Sequence, residues 1–350
     1  MMALNVLACV LLVICAFSEL LPTMKVPLAS LAGLAFPFVF VLVLAFFLFW
    51  LLFARRFVWV SLLTLLICGR QVYAMCPIHV GGQNPPDGAM KVMSYNVFSR
   101  NILSSNADND NATLQYLGRS DADIICLQEC NVGGMKAFDK VSGWIGKYPY
   151  RSYLQMKNDK DAHGLVCLSK YPIVDTEMIT FEHSSNAAAC YYIEMGRDTL
   201  LLFNCHLQSF GLNDDDKSTY EDILSDPKDY LGANATRTLV KKLRDAGIRR
   251  AEQADIIAER VLAATAKYVM VCGDFNDSPV SYTHHVLTRS LVDAHTKSGN
   301  GFDFSYTRNR MLFRIDHLLA SPNLTPYRCT VDRSIRESDH YPIAAFFVAE

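Results

Sequence analysis

Charge is almost missing from the first 80 residues of this 350-residue chain, and the absence bounds the reading from the start. Only Glu19, Lys25, Arg55, Arg56 and Arg70 interrupt that region. Helices of a soluble core need a polar face, so buried helices of a soluble domain are excluded there. A basic segment before the first apolar stretch is missing too, and a second stretch follows at once, which excludes a cleaved signal peptide. Excess positive charge is absent: the chain has 33 basic and 35 acidic groups, and 29 and 33 of these lie beyond residue 90. That balance is not the footprint of a protein gripping duplex DNA mainly by neutralising phosphates, and it weakens a nuclease reading. Internal repeats and long low-complexity tracts are also lacking. An even cysteine count is missing from the body of the chain, since seven of 11 cysteines lie beyond residue 90. Several sit in strand-like runs (Cys126, Cys167, Cys205, Cys272), where a small buried hydrophobe is the commonest role.

What is present at the start is apolar length. Residues 3–21, 27–53 and 57–75 read as three transmembrane helices, because about 20 apolar residues cross a bilayer core. The third spans only with Arg70 snorkelling toward headgroups. Arg55-Arg56, between the second and third stretches, belongs in the cytoplasm by the positive-inside rule. Three spans then put the remainder of the chain outside the cytoplasm, whereas two would keep it inside. Unpaired cysteine usage favours the inside; the expectation is nevertheless an integral membrane protein with an extracytoplasmic domain. Residues 1–76 form the anchor, 77–90 a linker rich in Gly and Pro, and 91–350 the folded domain.

Within that domain, apolar runs predict strands at 90–97, 124–127, 165–169, 191–195, 200–205, 268–272, 315–320 and 343–348. Helices are expected at 111–118, 135–140 and 248–266. In the last, Ile256, Ile257, Val261 and Leu262 share a face, with Arg249, Arg250 and Glu252 elsewhere. Residues 211–247 read as a polar insertion, its Asp214-Asp215-Asp216 cluster as solvated surface, and its sharper reading is a flap over the substrate. Strands with helices between them give an α/β sandwich.

Four polar islands follow apolar runs: Ser94-Tyr95-Asn96, Leu127-Gln128-Glu129, Gly273-Asp274-Phe275-Asn276 and Ser338-Asp339-His340. Strand tips bringing carboxylates, amides and imidazoles into one pocket can hold a divalent cation beside a phosphate. A hard cation such as Mg²⁺ wants one or two carboxylates, which Glu129 supplies. Asp274 and Asn276 alternate, so they share a direction if the strand continues, and they can orient a water and hold a phosphoryl oxygen. Asp316, Asp339, His340 and His206 complete the set, an Asp beside a His fixing its tautomer and its charge. Each island alone is more often a turn or a solvated cap than a catalytic group. Together, in this order, they rarely arise by chance.

Residues 91–350 resemble the endonuclease/exonuclease/phosphatase superfamily on these islands, from Ser94-Tyr95-Asn96 to Ser338-Asp339-His340. The resemblance implies a deoxyribonuclease I-like α/β/β/α four-layer sandwich and direct in-line attack by water. It implies Asn96 near the scissile phosphate and the metal, Glu129 as principal Mg²⁺ ligand, and Asp339 as a further metal-side carboxylate. Mn²⁺ is the expected substitute. Asp274 is implied to orient or deprotonate water, Asn276 to bind phosphate, Asp316 to partner the site histidine, and His340 to contact phosphate. His206 matches the second histidine of the deoxyribonuclease and sphingomyelinase branches, and His163 a region of substrate contact. Phe98 and His206 depart from the abasic endonucleases, which carry an acid and a tyrosine there. A tether favours a lipid or small-molecule phosphoester at the bilayer; a nuclease is the alternative, and a catalytically silent scaffold a further class. The bilayer is the one other partner expected, and no protein partner is inferred.

Overall fold

The computed structural model describes residues 1–81, 84–98, 112–131, 147–156, 163–225, 234–308 and 311–350. The apolar start folds into α1 (Met2–Phe17), α2 (Ala29–Phe53), α3 (Val58–Ile67) and α4 (Gly69–Met75). Helix satisfies its interior backbone polar groups within its own segment, as a chain poor in polar partners requires. Two helices, Met2–Leu20 with its 3₁₀ extension and Ala29–Phe53, are long and apolar enough to cross a membrane. The third stretch bends by 70° between Ile67 and Gly69, and makes a third span only if both pieces are one. The expected single helix over 57–75 is thus two pieces that meet at Cys68.

Two polar ties set the direction of these helices. Ser61 Oγ donates to Asn5 Oδ1 at 2.9 Å near one end, and Glu19 pairs with Arg70 and Gln71 near the other. Helices α1 and α3 therefore run parallel, and α2 returns against them. Met1 and Arg55-Arg56 share one end of this bundle, and the remaining chain leaves from the opposite end. Leu52, Phe53, Trp59 and Ile67 are each at least 60% exposed on its outside. Exposed apolar side chains clustered in sequence like these suit contact with lipid or another protein.

From residue 90 onward, strands mostly buried on both faces build two six-stranded sheets. The first contains β1 (Met90–Asn96), β2 (Ile124–Cys130), β3 (Tyr150–Gln155) and β4 (Gly164–Ser169). The second contains β5 (Ile173–Thr180), β6 (Ala187–Met195), β7 (Asp198–His206), β8 (Tyr268–Asp274), β9 (Val292–Asp293) and β10 (Asp316–Ala320). Strands β11 (Leu324–Val331) and β12 (Ile343–Ala349) return to the first, giving orders β11-β12-β1-β2-β4-β3 and β5-β6-β7-β8-β10-β9. Both sheets are mixed, with β1–β2 and β7–β8 parallel and their other neighbours antiparallel. Val92, Ile124 and Cys126 face Tyr191, Leu202 and Met270 in the core between the sheets. The alternate residues point outward. Met93 and Ile125 pack with Leu117 of α5 (Ala112–Arg119), and Leu201 and Val271 pack with Ile257 of α7 (Asn234–Leu262). Two mixed sheets flanked by helices are the α/β sandwich expected.

Several expectations are corrected. Strands β3, β5, β9 and β11 went unread, and each is the edge of its sheet. The polar insertion is largely helical: α6 (Asp214–Ser225) precedes α7, which starts at Asn234 instead of 248. Asn213 and Asp216 cap α6 reciprocally, at 2.8 and 2.9 Å, and Asp216 is ion-paired to Lys242 of α7. Part of the acidic cluster is therefore a helix cap, for which Asp and Asn are preferred. On α7, Ile256 and Leu262 are exposed while Arg250 is fully buried, donating to the Gln208 carbonyl and pairing with Asp277 at 3.3 Å. Two short helices, α8 (Tyr282–Leu287) and α9 (Ala294–Ser298), complete the chain. The helix expected at 135–140, and residue 111 of the one expected at 111–118, lie outside the described residues. All eleven cysteines are free, and the seven beyond residue 90 are buried.

Candidate active site

Strand parity explains why polar residues converge. Asn96 lies on the inward row of Val92, His206 on that of Leu202, Asp274 on that of Met270, and Asp316 on that of Leu318. In each case the row between the sheets ends in a polar side chain at the same end of the sandwich, preceded on β1 and β7 by a second polar residue, Ser94 and Asn204. Glu129 has the wrong parity, since Cys126 puts Gln128 inward. A β-bulge between Leu127 and Cys130 adds one residue to β2, and Glu129 takes the left-handed conformation at φ 51°. Bulges re-aim side chains in this way. Beneath Glu129, Gln128 Nε2 donates to Asn204 Oδ1 at 2.7 Å, and Asn204 Nδ2 donates to the Leu127 carbonyl. These two amides tie the sheets together, a role not read from sequence although Gln128 lies in the second island and Asn204 stands two residues before His206.

The side chains form one connected cluster. Asn96 Nδ2 donates to Glu129 Oε1 and to Asp274 Oδ2, both at 3.0 Å, while its Oδ1 accepts from Phe98 N. Asn96 is thus a strut between two carboxylates. His206 Nε2 is 3.4 Å from Glu129 Oε1 and 3.9 Å from Asp274 Oδ2. His340 stands between acids as well, its Nδ1 2.9 Å from Asp316 Oδ2 and its Nε2 3.7 Å from Asp274 Oδ2. Ser338 Oγ donates to the Asn96 carbonyl and accepts from His340 N, fixing the last island to the first.

Strand β8 ends at Asp274, so the expected alternation with Asn276 fails. Asn276 turns at φ 52°, its backbone N–H donates to Asp274 Oδ1, and its Nδ2 donates to the Leu207 carbonyl. Gly273 before it has φ 131°, and a Cβ there would overlap the Cys205 backbone of β7. Only glycine permits so close an approach. Left-handed residues at Phe98, Glu129 and Asn276 put backbone strain at three positions around one site.

A cavity of about 200 Å³ opens over the cluster, lined by Glu129, Asp274, Asn276, Asp339 and His340. Its wall carries Phe98, Phe210, Tyr306 and Phe313, together with Lys217. Tyr306 meets His340 edge-on at 5.0 Å, and the Arg308 guanidinium lies 5.1 Å from the Phe98 ring centre. His163 precedes β4 and is not among the residues lining the cavity.

Burial pushes the Asp274 carboxyl up to about 6, its neighbours His340 and His206 opposing and Asp316 adding to the rise. Burial works against a charge on His340, yet Asp316 and Asp274 outweigh it and hold the imidazole at about 10. Asp339 is raised by burial and by Glu129, against the pull of His340 and Arg308. Crowded carboxylates with spare acceptors fit a hard cation: Asp339 Oδ1 and Asp316 Oδ1 are buried without a partner. Glu129–His206–Asp274 and Asp274–Asp316–His340 each offer ligand atoms within 4.8 Å of one another.

Comparison with known proteins agrees with this chemistry. Residues 1–75 match a domain of unknown function, DUF8431. No curated protein matches the chain. Among solved structures, truncated Caenorhabditis elegans TDP2 is similar at 18% identity and TM-score 0.51, over 76% of this chain and 100% of that one. An endonuclease/exonuclease/phosphatase from Bacteroides vulgatus is similar at 15% identity and TM-score 0.53, over 75% and 100%. D. rerio TDP2 complexed with single strand DNA product is similar at 16% and 0.50, over 75% and 100%. Residues 93–340, most of the chain, match the model of one hydrolase family, and with a metal-coordinating phosphoesterase site at their centre this chain belongs to the endonuclease/exonuclease/phosphatase family.

Proposed function

We propose that the protein is a membrane-anchored, divalent-cation-dependent phosphoesterase whose substrate is a nucleic-acid phosphodiester. Residues 1–76 are its anchor, 77–90 the linker and 91–350 the catalytic domain. One observation carries the reaction class: a cationic imidazole held between two carboxylates on a cavity that presents two more, Glu129 and Asp339.

Glu129 and Asp339 are the residues that would hold Mg²⁺, or Mn²⁺ in its place, and Asn96 keeps Glu129 in position. The bound cation supplies charge neutralisation to the phosphoryl group. Asp274, with its pKa near 6, is ionised at neutral pH and basic enough to orient or deprotonate water. His340 stays protonated, Asp316 accepts its Nδ1–H, and Nε2–H faces the cavity to meet phosphoryl charge. Asn276 lines the same cavity, and His206 stands 3.4 Å from Glu129 Oε1. His163 has no role in this scheme.

The aromatic wall shifts the substrate preference away from a lipid or small-molecule ester. Phe98 and Phe210 line the cavity and carry Arg308 and Arg250 against their rings, at 5.1 and 4.4 Å. Flat rings with cations beside a phosphate site suit single-stranded nucleic acid, because every base has a stacking face. The same fold holds a single-stranded DNA product in the D. rerio protein. A lipid phosphoester remains the second reading on one contact: Phe313 of the cavity wall meets Phe38 of α2 edge-on at 6.4 Å. Arg55-Arg56 at the far end of the bundle favours an extracytoplasmic catalytic domain. Burial of its seven cysteines answers the objection from thiol chemistry.

The test is hydrolysis by the full chain in nanodiscs, with Mg²⁺ or with chelator. Single-stranded DNA and RNA, phosphoinositides, sphingomyelin and nitrophenyl phosphoesters are compared. Chelator-sensitive release of nucleotides above the other substrates is expected. Turnover of lipid alone would overturn the substrate, and no turnover of any ester would overturn the reaction class.

A further inference from the structure

We propose that the N-terminal helices are a working part of the catalytic site's support, locked to it through Arg314, in addition to being its tether. The proposal rests on the reading of Asp316–His340 as catalytic, and Arg314 is assigned as a positioning residue.

Arg314 is 1% exposed and stands two residues before Asp316. Its Nη2 donates to the Ala74 carbonyl at 2.5 Å, and its Nη1 to the Met75 and Phe302 carbonyls at 3.4 and 3.1 Å. Nη1 also lies 2.7 Å from His295 Nδ1. Ala74 and Met75 are the last residues of α4, where carbonyls lack intrahelical partners and the helix dipole favours a cation. The guanidinium therefore caps a helix of the N-terminal unit from inside the catalytic domain. Without α4, a buried charge would lose two of its oxygen acceptors. The segment after Arg314 is equally pinned: Ser305 Oγ accepts from both Ile315 N and Asp316 N, and the Ile315 carbonyl accepts from Phe275 N.

A second contact reaches the segment that follows Asn276. Helix α2 approaches so closely at Gly33 that a Cβ would strike the Val280 carbonyl, and Ser278 Oγ donates to the Gly33 carbonyl at 3.4 Å. Val280 is fully buried in one apolar cluster with Leu12, Phe36 and Phe40 of α1 and α2. Pro77 and His79 then bind residues 299–301, with Gly301 N donating to the Pro77 carbonyl at 2.9 Å and His79 N to Asn300 Oδ1 at 2.7 Å. A passive tether needs no buried guanidinium and no glycine-sized gap. Both segments that carry site residues on this side, 276–280 and 313–316, touch the N-terminal unit.

Gly33→Val tests this in the full chain in nanodiscs, since Gly33 touches neither the cavity nor a proposed ligand. It is expected to lower kcat by about 10–100-fold with KM little changed, as slight misplacement of a reacting group does. Arg314→Met should do the same, and Arg314→Lys, which keeps the charge at the carbonyls, should recover part of the loss. A second measurement needs no turnover: a protease site placed at 84–88 is cut in detergent. The two pieces are expected to co-elute, and Gly33→Val to separate them. Parent kcat in Gly33→Val, or separation of the cut parent pieces with full activity in the catalytic one, would overturn the proposal. A parent inactive on every ester would instead sink the phosphoesterase reading and leave docking to be decided by co-elution.

Discussion

Asp316 and His317 are neighbours on β10 whose side chains leave opposite faces, and each enters a buried cluster of imidazoles and carboxylates. Asp316 joins Asp274 and His340 between the sheets; His317 joins His284 and Asp293 behind the second sheet. The residue types are the same, but their bonding is not. In the rear cluster Asp293 caps α9 through His295 N at 2.8 Å, accepts from Thr296 Oγ1 at 2.9 Å, and meets His284 Nε2 at 3.1 Å. His317 Nε2 meets the Asp277 carbonyl at 2.9 Å, and burial holds this imidazole neutral, well below its usual pKa. Although burial raises it, the Asp293 carboxyl is held far below its ordinary range by His284 and Arg314. None of the three lines the cavity. The front cluster keeps carboxylate oxygens without partners and an acid raised to about 6. Spare bonding capacity at an open cavity, more than residue type, separates chemistry from architecture.

The largest effect expected from this contrast is on turnover. Glu129→Ala and His340→Ala should each lower kcat by about 10³-fold or more, while the thermal midpoint stays near that of the parent. His317→Leu should show the opposite signature, a loss of about 1–3 kcal/mol of stability with kcat within a few-fold. Steady-state kinetics beside thermal unfolding reads both. Abolished turnover in a His317→Leu protein of parent stability would erase the distinction between the clusters.

The next effect is on pH dependence. The pKa of Asp274 is raised, so its base form is present above about 6 and activity rises through that pH. The pKa of His340 is also raised, so its cation persists to about 10 and activity falls beyond it. Asp316 raises both groups, so Asp316→Asn should move both limbs to lower pH, the alkaline limb by about 1–3 units, with kcat down by about 10²-fold. The limbs belong to the coupled cluster rather than to single residues. A pH–rate profile unchanged by Asp316→Asn would remove the basis for a clamped His340.

Much of the fold and of the front cluster was legible beforehand, the rear cluster was not, and the exceptions have physical causes. Interior strands such as β2 and β8 are buried on both faces, so their apolar runs announce them. The four unread strands are edges: β3, β5 and β11 mix exposed and buried positions, and β9 is two residues long. The islands at Asn96, Asp274 and His340 stood out because polar residues ending apolar runs are conspicuous. The bulge that turns Glu129 inward left no mark, since one inserted residue changes parity without changing composition. Arg250 read only as lying off the apolar face and Arg314 drew no reading, because only tertiary contact supplies the carbonyls, rings and acids that allow an arginine to be buried.

The smallest effect expected concerns the aromatic wall of the cavity. Phe98 and Phe210 border the cavity without touching the acids by any bond described, so truncating them leaves the reacting groups in place. If the rings stack bases, Phe98→Ala and Phe210→Ala should each raise KM for a single-stranded oligonucleotide by about 5–100-fold, the equivalent of about 1–3 kcal/mol per base. With a nitrophenyl phosphodiester, which offers no base, KM and kcat should stay near the parent values. Equal losses on both substrates would mean that the rings only shape the cavity. A KM change confined to lipid esters would move the substrate assignment toward the bilayer, with Phe313 and Phe38 as the contact to follow.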